Sequence, residues 1–243
     1  MKPVNLLAAV SLLALCACSE KQIKDTLETV SQTIEGQSSG LTTAEVVNGL
    51  KQALEVGIQN SATVASKLDG YYKNPQIAIP FPPDAARVAT KLRQIGFGKE
   101  VDRFVLTLNR GAERAATKSV PIFVSAIRGM SIEDAWGILR GGDSAATQFL
   151  QQRTSTQLRT AFEPVVADAL SEVNATKYYS DIVGTYNRIP LVNKANADLD
   201  AYATDKTIDG LFYLVAQEEA KIRKDPLQRT TDLLRKVFSE QDG

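Results

Sequence analysis

Apolar residues recur at helical rather than strand spacing along most of the chain, and glycine, proline and Asx-rich breaks separate the segments they mark. Thr42-Thr-Ala-Glu45 has the spacing of a capping box, and Val46, Leu50, Leu54 and Ile58 follow it, predicting a helix from about Thr43 to Leu68. Asn74-Pro75 and Ile77-Ala-Ile-Pro-Phe-Pro-Pro83 interrupt the pattern, because a residue before proline is pushed out of the helical region. Helical spacing resumes over Asp84 to Ile95 and stops at Gly96. From about Gly98 to Thr117 it places Val101, Phe104, Val105, Leu108, Ala112 and Ala115 on one face. The small residues Gly111, Ala112, Ala115 and Ala116 mark close helix packing there.

Beyond that point Pro121 opens a helix running to Arg128, and Ser131-Ile-Glu-Asp134 starts a short one that reaches Arg140 and ends at Gly141-Gly142. Asp143 is placed to cap a longer helix, Ser144 to Val173, with a bend expected near Pro164. Further helices fit Lys177 to Asn187, Asp205 to Arg223 and Arg229 to Phe238. No stretch alternates over several residues with a β-branched bias. The expected fold class is therefore all-α: a single multi-helix domain, residues 41–243, with one extended proline-rich loop at about 74–83.

The first forty residues have a different character. Lys2 followed by the apolar run Val4 to Leu15 reads as a secretory signal over residues 1–17, too short for a resident spanning helix. Leu15-Cys16-Ala17-Cys18 resembles the bacterial lipobox, in which a small residue precedes the cysteine that accepts the lipid. Cys18 fits and Cys16, preceded by bulky Leu15, does not. Ser19 after the lipid site resembles the residue type that permits sorting to the outer membrane, so the expected location is the periplasmic side of that membrane. Residues 18–40 read as a lipidated tether, with Ile23, Leu27, Val30 and Ile34 as a narrow helical stripe before the Gly/Ser break Gly36 to Gly40.

Charge and composition exclude more than they select. Lys plus Arg and Asp plus Glu each number 28, so no basic nucleic-acid surface is expected, and no polybasic run points to electrostatic membrane binding. The lipid is the one anchor the sequence offers. Both cysteines lie in the signal region, which rules out a disulfide in the mature chain. There is no histidine, hence no Ser-His-Asp or Cys-His nucleophile and no imidazole metal ligand. No catalytic residue, cofactor or metal is expected. Gly36-Gln-Ser-Ser-Gly40 matches a hydrolase string but lacks a preceding strand and a histidine. Asn196-x-Asp198-x-Asp200 opens like a calcium loop, yet Ala201 and Thr207 stand where that loop needs glycine and glutamate, so caps and turns are the better reading. Gly141-Gly142-Asp143 could cradle an anion at a helix N-terminus, although Asp143 would occupy the same donors.

Two patterns place polar groups where apolar ones belong. In the helix beginning at Asp205, the stripe through Ile208, Leu211, Val215 and Ile222 is completed by Glu218, next to Glu219. Such an acid needs a basic partner or a raised pKa, and Glu219 has Arg223 one turn on. Gln151-Gln-Arg-Thr-Ser-Thr-Gln157 is seven non-apolar residues in a row, and continuing the stripe through Phe149 puts Arg153 and Thr156 on the inward face. Arg153 must then meet an acid from another helix or point into a water-filled groove. Arg153, Thr156, Glu218 and Glu219 are the candidate ligand-binding residues. Tyr71-Tyr72, Phe81, Tyr178-Tyr179 and Tyr186 suit either a binding surface or a half-buried helical core.

Several longer strings occur together: Asn74-Pro-Gln-Ile-Ala-Ile-Pro80, Leu108-Asn-Arg-Gly-Ala-Glu113, Ile138-Leu-Arg-Gly-Gly-Asp-Ser-Ala-Ala-Thr147, Tyr186-Asn187, Thr204-Asp-Lys-Thr-Ile-Asp-Gly-Leu-Phe212 and Asp225-Pro-Leu-Gln-Arg-Thr-Thr-Asp-Leu-Leu-Arg-Lys-Val-Phe238. From about Leu41 onward the chain thereby resembles the bacterial proteins grouped as domain of unknown function 4197. The resemblance implies a helical, exported domain, frequently lipid-anchored, and brings no catalytic residue with it. The expected function is a non-enzymatic envelope lipoprotein that binds a protein or small-molecule partner. The alternatives are a carboxylate-based envelope enzyme, with glycan as the candidate substrate, and a carrier of an apolar ligand. A flat patch would favour the binder, two carboxyls across an open cleft the enzyme, and a continuous apolar cavity the carrier.

Overall fold

Leu150, Thr154, Leu158, Phe162, Val166 and Leu170 recur every four residues and are all buried, so one inward stripe runs along the longest helix among the described residues. The computed structural model describes residues 42–224 apart from Ile189, Val192 and Asn193. The signal segment, Cys18, the tether and the helix expected over Arg229 to Phe238 lie outside the described residues. Among those described, the helices are α1 (Thr43–Ser66), α2 (Ala86–Gln94), α3 (Gly98–Ala116), α4 (Ser119–Arg128), α5 (Ile132–Arg140), α6 (Ala145–Ser171), α7 (Ala175–Tyr186) and α8 (Leu199–Lys224). A single 3-10 turn, Pro83–Ala85, precedes α2, and no strand occurs among these residues.

The chain is all-α. α6 is the axis, packed against α3 and α8 over most of its length and touched also by α4, α5 and α7, while α1 closes the other side of α8. Phe123 of α4 and Phe212 of α8 meet edge-on at 5.6 Å inside this core. Gly111 lets α3 approach α6 closely: a Cβ there would lie 3.3 Å from that of Ala169. Ser131 caps α5 through a reciprocal box with Asp134, and the hydrogen bonds from Ser131 hold the Asp134 carboxyl below the usual carboxylate range. Pro121 lies in the first turn of α4, where no intrahelical donor is needed, and α6 continues through Pro164 to Ser171.

The proline-rich loop is extended and turn-like, and polar side chains buried on α3 tie it down. Asn109, fully buried, accepts from the Ile79 N–H at 2.8 Å and donates to the Ile79 carbonyl at 2.8 Å. Glu113 accepts from the Tyr71 and Tyr72 N–H groups at 3.1 and 3.2 Å, and from Arg110 at 2.5 Å. Arg110 also bridges to Asp69, whose backbone is left-handed. Hydrogen bonds from Lys73 and then Arg110 lower the Asp69 carboxyl. The fully buried Tyr71 donates its hydroxyl to the Thr207 carbonyl at 2.6 Å and lays its ring against Gly210. Burial raises that phenol well above its ordinary value.

Candidate functional site

The expected buried acid of α8 is Glu219, and Glu218 is only partly covered. Glu218 pairs with Lys221 at 2.5 Å and accepts from Asn60 of α1 at 2.9 Å. Extending the stripe by whole turns from Val215 selected the wrong member of the pair, because α6 abuts the neighbouring face of α8 and draws Glu219 inward. Glu219 accepts from the Ala146 and Thr147 N–H groups at 3.0 and 2.8 Å and from the Thr147 hydroxyl at 2.7 Å.

These donors open α6, so the helix N-terminus that Asp143 was expected to cap is met by the carboxylate of Glu219 from α8. Asp143 is not the cap. The N-cap is Ser144, without a side-chain cap bond, and Asp143 instead pairs with Lys224 at 3.1 Å. Arg223 completes the arrangement: it binds Glu219 at 2.9 Å and donates to the Ile138 carbonyl near the end of α5 at 2.8 Å. A cation thus meets the C-terminal end of one helix and an anion the N-terminal end of the next, each matching the local dipole. Gly141 permits the tight passage between them, since a Cβ would lie 2.5 Å from that of Ala145.

The polar run of α6 also turns differently from the expectation. Thr154, not Arg153 or Thr156, faces inward, and it satisfies its hydroxyl by donating to the Leu150 carbonyl at 2.6 Å. A small residue with a self-satisfied hydroxyl fits the stripe through Leu150 and Leu158, and that sets the rotation of the helix. Phe149 lies on the flank. Arg153 is 60 % exposed, stacks over the Phe149 ring at 5.5 Å and reaches Asp134 of α5 at 3.6 Å. It therefore meets an acid from another helix, but at the surface. Thr156 is exposed as well, and it does border a concavity.

That concavity lies between α6 and α8 and has a volume of about 570 Å³. Ser155, Thr156 and Arg159 form one wall, and Tyr202, Asp205, Lys206 and Asp209 line the other. Arg159 is ion-paired with Asp205 across the groove, and Lys206 with Asp209 along α8 at 2.9 Å. Tyr202 reaches the Pro80 carbonyl, and its phenol is pushed up to about 12 by burial and then by Asp84. Arg159, Tyr202 and Asp205 were missed in the sequence. Arg159 lies just beyond the polar run, and Tyr202 and Asp205 fall within or next to a first turn and a half of α8 that the pattern had left out, since the helix begins at Leu199.

A second depression, between α1 and α8, is apolar, lined by Leu50, Leu54, Ile58 and Val215 with Glu218 and Glu219 at its edge. It holds only about 30 Å³, room for roughly one water molecule. The aromatic residues divide: half-buried Phe81 and Phe104 cluster with buried Tyr179, centroids 4.8 to 6.0 Å apart, whereas Tyr178 is exposed. The Asn196 to Asp200 cluster serves turns and caps. Asn196 accepts from the Asp198 N–H, Asp198 from the Ala201 N–H, and Asp200 from the Thr176 hydroxyl. Among the described residues no group of three or more acidic, cysteine or histidine residues is arranged to hold a metal, and no helix is long and apolar enough to cross a membrane.

A family model described as "Protein of unknown function (DUF4197)" matches residues 40–239. No curated protein and no solved structure matches the chain.

Proposed function

The chain belongs to the family described as protein of unknown function DUF4197, and we propose that it is an envelope lipoprotein, anchored through acylated Cys18 at the periplasmic side of the outer membrane, whose helical domain binds a small polar ligand. The observation that carries this reading is the 570 Å³ groove between α6 and α8. Its volume falls in the range of small-molecule sites, and its walls present hydroxyls, a guanidinium, an ammonium and carboxylates around one tyrosine ring. Because the charges are already paired as Arg159–Asp205 and Lys206–Asp209, the groove favours a ligand of no net charge with many hydrogen-bonding groups.

The enzyme reading has less support. Glu219 is held by two backbone donors, a hydroxyl and Arg223, and Asp205 and Asp209 each carry a cationic partner, so these acids are committed to structure or to pairing. The carrier reading would need an apolar cavity much larger than 30 Å³.

Two measurements test the proposal. Mass spectrometry of the mature N-terminus is expected to find a diacylglyceryl-modified Cys18, and an unmodified terminus at any other residue removes the lipoprotein. For the ligand, native mass spectrometry after incubation with the small-molecule fraction of envelope extract compares the wild-type chain with Thr156→Trp, which fills the groove from an exposed position. A polar adduct on the wild type that disappears in the variant supports the reading; equal retention by both overturns it.

A further inference from the structure

α2 stands apart from the core. Of its nine residues only Ala89 is buried, and it packs mainly on the 3-10 turn before it and on α3 after it. Between α2 and α3 the chain turns at Ile95-Gly96-Phe97. Gly96 has φ +98° and nothing within 4 Å of where its Cβ would be, so the turn projects into solvent. The two side chains beside it are large and apolar, yet Ile95 is 67 % and Phe97 50 % exposed. Single exposed apolar residues are ordinary on a protein surface. A pair at one projecting tip, each at least half exposed, is a different feature.

Charge singles the tip out further. Between Arg87 and Arg103 there are five basic residues and two acidic ones, in a chain whose totals are equal. Arg87 and Lys91 lie four residues apart on α2, and Lys99 and Arg103 four apart on α3, so each helix carries a basic pair on one face leading to the tip. All four are exposed, and among the described residues none has an acidic partner within salt-bridge distance. Arg93 is the basic residue here that is neutralised, by Asp102 at 2.6 Å. No polybasic run marks this in the sequence, because the cations are spread over seventeen residues, one pair on each of the two helices that flank the tip.

We propose that the α2–α3 tip is a membrane-contacting element, in which Ile95 and Phe97 insert among the headgroups of an anionic lipid surface while Arg87, Lys91, Lys99 and Arg103 bind the phosphates around them. Apolar side chains give partitioning into the interface, and cations flanking them add electrostatic attraction that a neutral surface lacks. The long lysine and arginine stems let the charges reach the headgroups while the tip lies deeper. A contact of this kind fixes which face of the domain looks at the bilayer, which a lipid on a tether cannot do. It does not depend on the acylation of Cys18.

The test uses the unlipidated chain from Ser19 to Gly243, which retains the whole compact unit beginning at Thr43, with helix content checked by circular dichroism. Co-sedimentation is measured with vesicles of phosphatidylcholine alone and of equal parts phosphatidylcholine and phosphatidylglycerol. Partitioning is expected onto the anionic vesicles only. Ile95→Ser with Phe97→Ser is expected to weaken it about ten-fold or more. Lys91→Gln with Lys99→Gln is expected to weaken it roughly twenty-fold. Leu191→Ser, at an exposed apolar residue outside the tip, should leave it unchanged. All these positions are exposed, so the fold is expected to survive. The proposal is overturned if the wild type does not sediment with anionic vesicles, if both tip variants bind as the wild type does, if neutral vesicles serve equally well, or if Leu191→Ser is as damaging. Capture by soluble polyglutamate as tight as by vesicles would overturn it in favour of an acidic protein partner.

Discussion

Glu113 and Glu219 each sit on a long helix with an arginine within about one turn, and each accepts from two consecutive backbone N–H groups of another element. Their surroundings differ. Glu113 lies under the Tyr71 loop, where Tyr71, Ile79 and Leu108 are all inaccessible to solvent and the ring of Tyr71 presses on Gly210. Glu219 borders the small apolar depression between α1 and α8, where a Cβ at Gly57 would meet Glu218 and Ile222 only at ordinary contact distance. The same chemical device therefore closes a loop in one region and joins two helix ends beside a gap in the other. The comparison teaches that a buried carboxylate in this protein marks orphan backbone donors rather than a reaction, and that the two regions should respond unequally to damage.

The largest effect is expected from Glu113→Ala, which removes the acceptor of the Tyr71 and Tyr72 N–H groups while Arg110 keeps Asp69, and should destabilise the fold by about 3 kcal/mol. Glu219→Ala removes a similar set of bonds, but water can enter beside it, so the loss should be about 2 kcal/mol. Urea denaturation of both variants measures the difference. Equal costs would show that the gap near Glu219 gives no relief, and a larger cost for Glu219→Ala would reverse the ranking.

Glycine substitutions sharpen the contrast by changing sign. Gly210→Ala, inside α8, places a Cβ 2.7 Å from the Tyr71 ring and 3.0 Å from the Ile77 Cβ, and should cost about 1–3 kcal/mol through overpacking. Gly57→Ala, inside α1, meets nothing closer than 3.4 Å and should stabilise by roughly 0.5–1 kcal/mol through helix propensity. Thermal melting reads both. Destabilisation by Gly57→Ala would mean that the gap is tighter than its contacts indicate.

The smallest effect concerns pH. Asp69, Asp134 and Glu172 all have folded pKa values below their ordinary ones, through hydrogen bonds from Lys73, Ser131 and Arg114 respectively. A lowered folded pKa stabilises the fold above the unfolded value, and that stability is lost as pH falls through the folded value. Stability should thus decline below the ordinary carboxylate range, starting near the unfolded values of 3.8 and 4.5. With no histidine in the chain, it should stay nearly level from about pH 5.5 to 8. Because all three acids keep some contact with solvent, screening keeps each contribution small. Urea midpoints across the pH series provide the measurement, and a transition near pH 6.5 would contradict the expected level region.

Helix existence was legible because the apolar spacing is strong and the breaks carry glycine or proline: Gly96, Gly141-Gly142 and the Asn74 to Pro83 stretch all separate elements as their residue types require. Helix rotation was not. In α6 the stripe could be continued from Phe149 or from Leu150, and the choice decides whether Arg153 or Thr154 turns inward. In α8 the pattern was continuous with Glu218 and silent about α6, whose N-terminal donors select Glu219. A signal for the second buried pair was present and passed over: Asn109 and Glu113 lie on the same face of α3 as Val105, Ala112 and Ala116, where polar residues demand partners.

By itself the sequence determined an all-α chain, its proline-rich interruption and the absence of imidazole chemistry, because propensity, steric restriction before proline and residue inventory are local properties. Only the tertiary structure decided what the polar residues do. Asn109 and Glu113 meet a backbone some forty residues earlier or less, Glu219 meets donors seventy-three residues away, and the α6–α8 groove joins Arg159 to Asp205. A hydrogen bond or ion pair is set by distance in space, and helix spacing carries no information about which distant helix end, loop or charge will be brought within reach.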